Sequence, residues 1–134
     1  MEAVAKLLGD DAKGCALMSV GSLGVLCGLM ALRMSFFRLA GSPGEGNPRS
    51  AMTRWSEYQL LNAEWAPVGA FLVLANLQKG TVPAELVQIL AATFAATRWL
   101  FAIDGIFLGH KLGVPVMTTC YVATLALSAT LFIY

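Results

Sequence analysis

Three ionisable side chains interrupt otherwise apolar stretches of this sequence: Glu64, Arg98 and Asp104. An ionisable group inside a membrane-spanning stretch is costly, and it usually faces a bundle interior or a water-filled pocket. Arg98 and Asp104 are six residues apart, which is about 240° around an α-helix. We therefore expect these two side chains to have different partners rather than to pair with each other.

Glu64 also belongs to a polar stripe. Arg54, Glu57, Leu61 and Glu64 follow three- and four-residue spacings, so they share one face of a helix. Arg54 and Glu57 can pair at the outer end of this stripe, with Glu64 deeper on the same face. The stripe is compatible with half of a site for an anionic or polar ligand. The alternative is a structural ion-pair network that locks the helices together.

The cysteines and the histidine indicate no further chemistry. Cys15 and Cys27 are twelve residues apart, about 18 Å along one helix, which is too far for a disulfide. With Cys120, they are expected to behave as small buried hydrophobic side chains. His110 is the one histidine in the chain, so the sequence offers no metal-ligand spacing. We expect it to be a solvated loop residue.

The composition narrows the class of protein. The chain has 134 residues, enough for one domain, and 57% of them are hydrophobic while 13% are charged. A soluble domain carries about 25% charged residues, and the mean hydropathy here is +0.69. An ordinary soluble domain is therefore excluded. The net charge of +1 gives no indication of nucleic-acid binding, which needs a clustered basic surface.

Four stretches are long and apolar enough to cross a bilayer core, which needs about 20 residues. They comprise residues 14–32, 58–77, 86–108 and 112–134, in one domain that covers residues 1–134. Glycines and prolines separate them at residues 41–48, 80–83 and 113–115, where helices are disfavoured. Short loops place consecutive helices antiparallel. The sequence predicts an all-α, integral membrane, up-down-up-down four-helix bundle surrounded by lipid.

The depths of the ionisable groups suggest one contact between helices. Glu64 lies six residues inside its stretch, about 9 Å deep, and Arg98 lies ten residues from the same side, about 15 Å deep. A long arginine side chain can cover this difference, so a Glu64–Arg98 contact is feasible. Separately, Gly21, Gly24 and Gly28 form a small-residue stripe that indicates close helix packing.

The second apolar stretch carries a family resemblance. Arg54, then the run Asn62-Ala-Glu64-Trp-Ala-Pro67, then Phe71-Leu-Val-Leu-Ala resemble the MAPEG family, the membrane-associated proteins of eicosanoid and glutathione metabolism. Arg98 and residues 109–115 add to the likeness. It implies a homotrimer in the endoplasmic reticulum or another organelle membrane, with glutathione bound between subunits. The residues that it assigns to the glutathione site are Arg54, Asn62, Glu64 and Arg98.

The sequence also departs from the family pattern. Asparagine usually stands three residues before the acid and arginine seven before it, where this chain has Leu61 and Glu57. An acid in place of the arginine repels an anion. Three hypotheses follow. The first is a glutathione-dependent transferase or peroxidase acting on lipophilic substrates; the alternative is a non-catalytic accessory subunit of a larger respiratory or photosynthetic membrane complex. The third is a lipid-binding activator that keeps the trimer but not the chemistry.

Overall fold

The computed structural model describes residues 12–134, and within that range the chain contains helices and turns but no strand. The helices are α1 (Ala12–Leu39), α2 (Ala51–Lys79), α3 (Ala84–Ile103) and α4 (Gly113–Ile133), and α3 continues into a π-helical turn, Asp104–Leu108. The prediction of an all-α chain is confirmed. Residues 1–11, which the single-domain prediction includes, lie outside the described residues.

The first two helices are longer than the apolar stretches that predicted them. Residues 33–39 continue α1 and residues 51–57 begin α2, although both segments contain charged side chains. The start of α2 is fixed by Ser50, whose hydroxyl accepts a hydrogen bond from the Thr53 backbone N–H at 3.1 Å. Gly80 ends α2 with a left-handed φ of 70°, a conformation that glycine adopts without a Cβ clash. Capping residues, rather than hydropathy, therefore set the two boundaries of α2.

All four helical segments are long and apolar enough to cross a membrane. They contain 28, 29, 25 and 21 residues when the π-helical turn is counted with α3. At about 1.5 Å per residue, each therefore reaches or exceeds the roughly 30 Å of a bilayer core.

Close contacts define the directions of the helices. Tyr58, near the start of α2, packs against Gly105 at the end of α3, while Gly69 packs against Phe94. A Cβ added at Gly105 would lie 1.7 Å from the Tyr58 ring, so only a glycine permits this approach. The residue near the start of α2 contacts the C-terminal side of α3, and a later residue of α2 contacts an earlier residue of α3. The two helices therefore run antiparallel.

The glycines of α1 do not pack within the chain. A Cβ added at Gly21, Gly24 or Gly28 would meet no atom within 4 Å. The close helix packing that this stripe predicts is therefore not formed within the described residues. The reason is the orientation of α1 about its own axis. The face that carries Leu23 and Leu26 is buried against the bundle, so the glycines are on the outer surface.

Candidate functional site

Arg98 and Asn62 form a polar contact in the middle of the bundle. Arg98 Nε donates a hydrogen bond to Asn62 Oδ1 at 2.9 Å, and both side chains are completely inaccessible to solvent. The Asn62 amide nitrogen in turn donates to the Tyr58 carbonyl at 3.0 Å and lies 3.4 Å from Met30 Sδ. The contact therefore fixes α2 against α3, with α1 alongside.

The rest of the guanidinium has a weakly polar environment. Nη1 lies 3.7 Å from Met117 Sδ, and the group sits 5.1 Å from the centre of the Phe101 ring. Arg98 Nη2 has no hydrogen-bond partner in the described part of the chain. The guanidinium is held by soft sulfur and aromatic groups and one amide.

Glu64 does not reach Arg98. Asn62 and Glu64 are two residues apart on a continuous helix, which is about 200° of rotation, so they face in opposite directions. Asn62 faces the interior, whereas Glu64 is exposed on the outside of α2. The feasible Glu64–Arg98 contact is therefore not formed. Two side chains can lie within reach of each other in depth and still be on helix faces that do not face each other.

Arg54 also lies outside the buried contact. It is exposed in the first turns of α2, and Glu57 is exposed one turn further along. The polar stripe of Arg54, Glu57 and Glu64 thus lies on the outer surface of the described chain. Of the four residues assigned to a glutathione site, the structure brings together Asn62 and Arg98. Arg54 and Glu64 stand apart from that pair.

Asp104 is used to join α3 to α4. Its carboxylate is 1% exposed, and its two oxygens accept from the Leu112 backbone N–H at 3.1 and 3.0 Å. A carboxylate at the start of a helix satisfies a free N–H and interacts favourably with the helix dipole. Asp104 is therefore a helix-capping residue rather than a partner for another side chain.

The histidine was expected to be solvated, and it is exposed, but its ring also has a specific contact. The buried Tyr58 hydroxyl is hydrogen-bonded to the His110 ring. This contact joins residues 52 positions apart, and no local pattern in the sequence indicates it. The three residues Tyr58, Asp104 and His110 close one end of the bundle.

A second buried amide closes the other end. Asn76 accepts a hydrogen bond from the Thr130 hydroxyl at 2.7 Å and donates to the Leu127 carbonyl at 2.9 Å. Sequence reasoning missed this contact, although a signal exists. Asn62, Gly69 and Asn76 are seven residues apart, which places them on one helix face. That face is the buried side of α2.

The described chain has an apolar groove between α1 and α2. It has a volume of about 320 Å³ and is lined by Val20, Leu23, Gly24, Cys27, Ala66, Pro67 and Ala70. A smaller, more polar depression of about 220 Å³ lies at the start of α2 and is bordered by two acids, Glu45 and Glu57. Neither offers a cationic side chain to an anionic ligand. Within residues 12–134 no group of three His, Cys, Asp or Glu side chains can hold a metal ion.

Comparison of the chain with protein-family models, with curated proteins and with solved structures found no match. The likeness to the MAPEG family therefore stays a prediction from the residues quoted above.

Proposed function

We propose that this chain is a multi-pass membrane protein that acts as a non-catalytic accessory subunit of a larger membrane complex. The observation that supports it most directly is the position of Glu64. It is the fourteenth of the 29 residues of α2, close to the midpoint of the helix, and it is exposed on the outer face.

The outer surface supports insertion in lipid. Large apolar side chains are exposed on several helices, among them Val25, Phe71, Ile89, Leu125 and Phe132, whose exposed fractions range from 56% to 89%. Such an extent of exposed apolar surface is unsuited to water and suited to lipid or to another membrane protein. Charged side chains outside the core are concentrated near helix ends and in loops, with Glu64 as the exception in α2.

That exception is costly in lipid. A charged side chain at the centre of a bilayer costs about 2.5–3.5 kcal/mol on insertion scales. Glu64 lies six residues inside the apolar stretch that begins at residue 58, about 9 Å by helical rise, which is further than its short side chain extends. Contact with a second polypeptide removes this cost by supplying a hydrogen-bond donor or a cation. We infer that the face of α2 that carries Glu64 is covered in the assembled protein.

The interior does not favour catalysis by the isolated chain. Arg98, the cation nearest the helix midpoints, is enclosed and cannot reach a ligand without opening the bundle. The polar depression at the start of α2 is bordered by Glu45 and Glu57, which repel an anion such as glutathione. These features favour an assembly role over an enzymatic one.

A second candidate is the glutathione-dependent transferase or peroxidase that the family resemblance implies. One observation favours it: Arg54 and Glu64 are exposed on the same side of α2, so a neighbouring subunit of a homotrimer would contact both. In that case Arg54 would hold a glutathione carboxylate and Glu64 its amino group. The site would then exist between subunits and not within one chain.

The two candidates differ in what accompanies the chain from its native membrane. Under the accessory-subunit proposal, the tagged chain extracted in mild detergent copurifies with unrelated polypeptides at a fixed stoichiometry. Isolation of the chain alone or only with copies of itself would overturn the proposal. In the latter case, millimolar glutathione should raise the melting temperature by mass action if the second candidate is correct. A sulfur-free tripeptide of similar charge is the control ligand.

A further inference from the structure

We propose that the partner contributes a membrane helix that lies in the groove between α1 and α2 and places an arginine or lysine against Glu64. The proposal rests on the accessory-subunit function and adds the place, the chemistry and the kind of partner. It further implies that the partner is a different polypeptide and not a second copy of this chain.

The groove has the surface that a packed helix needs. Three small residues, Gly24, Ala66 and Ala70, line it, and small side chains let helix backbones approach closely in membranes. A Cβ added at Gly24 would meet nothing within 4 Å, so this side of α1 is open. The glycine stripe of α1 therefore lies on the outer surface of the described chain, where no other helix packs against it.

Glu64 lies at the edge of this groove. Pro67 lines the groove, and Glu64 precedes it by three residues, so the two side chains are neighbours on one face of α2. Leu60 and Val68, also on this side, are 61% and 45% exposed. A helix in the groove would thus meet an apolar surface with one carboxylate beside it.

Pro67 adds a second acceptor at the same place. It lies inside α2 and has no N–H, so the Ala63 carbonyl lacks the hydrogen bond that it would otherwise accept from residue 67. Ala63 is exposed. The Glu64 carboxyl group and the Ala63 carbonyl are next to each other, and both accept hydrogen bonds. A guanidinium or an ammonium group satisfies both, because it carries several N–H donors and the opposite charge.

Within residues 12–134, a second copy of this chain offers no exposed cation at the level of Glu64. The basic residues that the structure describes, apart from Arg98, lie in loops or within about two turns of a helix end: Lys13, Arg33, Arg38, Arg49, Arg54, Lys79 and Lys111. Arg54 precedes Glu64 by ten residues, about 15 Å along the helix. Arg98 is at the right depth but is completely buried.

Symmetry strengthens this conclusion. Two copies packed side by side in a membrane, either parallel or antiparallel, bring the midpoint of one α2 to the depth of the midpoint of the other. Glu64 would then face a second Glu64 or an apolar surface, and like charges at close range are unfavourable. The described residues therefore favour a cation from a different sequence, one with a basic residue inside an apolar helix.

The test compares two acids of the same helix in the complex extracted from native membranes. We expect Glu64→Leu to lower the amount of copurified partner at least tenfold, because it leaves the partner's cation unpaired in an apolar interface. The matched control is Glu57→Leu, which removes an exposed acid from the end of α2 and should change recovery less than twofold. Unchanged melting of the purified Glu64→Leu chain shows that the fold is retained.

The identity of the partner is tested by a photo-crosslinking amino acid at position 70, which lines the groove, with position 122 on α4 as the control. The expected product at position 70 is a different polypeptide, joined through an apolar helix that has Arg or Lys among its central residues. A product with twice the mass of the chain, a product with lipid alone, or a partner helix without a basic residue would overturn the inference.

The outcomes separate this inference from the proposed function. If the wild-type chain is isolated without other polypeptides, both fail. If the complex forms but Glu64→Leu leaves it intact, or the crosslinks arise from position 122 and not from position 70, the accessory-subunit function stands and the Glu64 contact is wrong.

Discussion

Asn62 and Glu64 are separated by a single residue on α2, yet one is completely buried against Arg98 and the other is exposed on the outer face. The amide holds the bundle together from inside, while the carboxylate is directed away from it. The same helix therefore presents a polar group to its own chain and another to its surroundings. Substitutions at the two positions should have different consequences.

Replacing the buried amide should destabilise the chain itself. Asn62→Leu removes the acceptor of the Arg98 Nε hydrogen bond and leaves a buried cation with a further unsatisfied donor. Loss of a partner for a buried polar group costs about 1–3 kcal/mol, and more for a charged one. We expect a clear fall in melting temperature in detergent. Asn62→Asp is the control, since it keeps an acceptor; an equally large fall would contradict this account.

The cost of Asn62→Leu should depend on the presence of Arg98. When both partners of a buried polar contact are replaced by apolar groups of similar shape, the change is often nearly neutral. We therefore expect the double variant with Arg98→Met to recover most of the stability lost in Asn62→Leu alone. A double-mutant cycle of melting measurements tests this. Additive losses would show that the two side chains act independently.

The close approach of α2 and α3 requires the absence of a side chain at residue 105. Gly105→Ala places a methyl group 1.7 Å from the Tyr58 ring, and such overpacking costs about 1–3 kcal/mol. Gly28→Ala is the matched control on an open helix surface. It should be neutral or stabilise the chain by up to about 1 kcal/mol through helix propensity. Thermal unfolding of the two variants measures the difference, and equal effects would be inconsistent with the contact.

The Tyr58–His110 hydrogen bond should make a small contribution to stability. Tyr58→Phe keeps the ring that packs on Gly105 and removes the hydroxyl. We expect a loss of about 0.5–1.5 kcal/mol, the usual net value for one hydrogen bond. His110 is exposed, so in the Tyr58→Phe variant water can take the place of the lost hydroxyl as the hydrogen-bond partner of the His110 ring. His110→Ala should cause a loss of similar size, and the double variant should lose no more than either single one.

The sequence predicts the helical architecture well because composition and hydropathy act over whole segments. All four apolar stretches correspond to helices, and the glycine and proline loop at residues 41–48 lies between α1 and α2. The end of α1 and the start of α2 are harder to predict from the sequence. They depend on capping contacts such as Ser50 with Thr53, to which a hydropathy window is insensitive.

The candidate site was only partly predictable. Depth along a helix can be counted from the sequence, and it suggested a contact between Glu64 and Arg98, while Asn62 was included only through the family resemblance. Rotation about the helix axis cannot be counted in that way, and it decides that Glu64 points outward. The seven-residue spacing of Asn62, Gly69 and Asn76 contained this information. It identifies the buried face of α2, and Glu64 is out of phase with it.

The π-helical turn Asp104–Leu108 changes the effect of a deletion in this segment. Its backbone hydrogen bonds span five residues rather than four, so the turn accommodates one residue more than an α-helical turn. A π-helical turn and an α-helical turn with one residue fewer advance the chain through nearly the same angle, so deleting a residue there leaves the downstream helix close to its present orientation. The same deletion inside α3 would rotate everything downstream through about 100°. A deletion in this turn that keeps Asp104 and Gly105 should therefore be tolerated far better than one within α3.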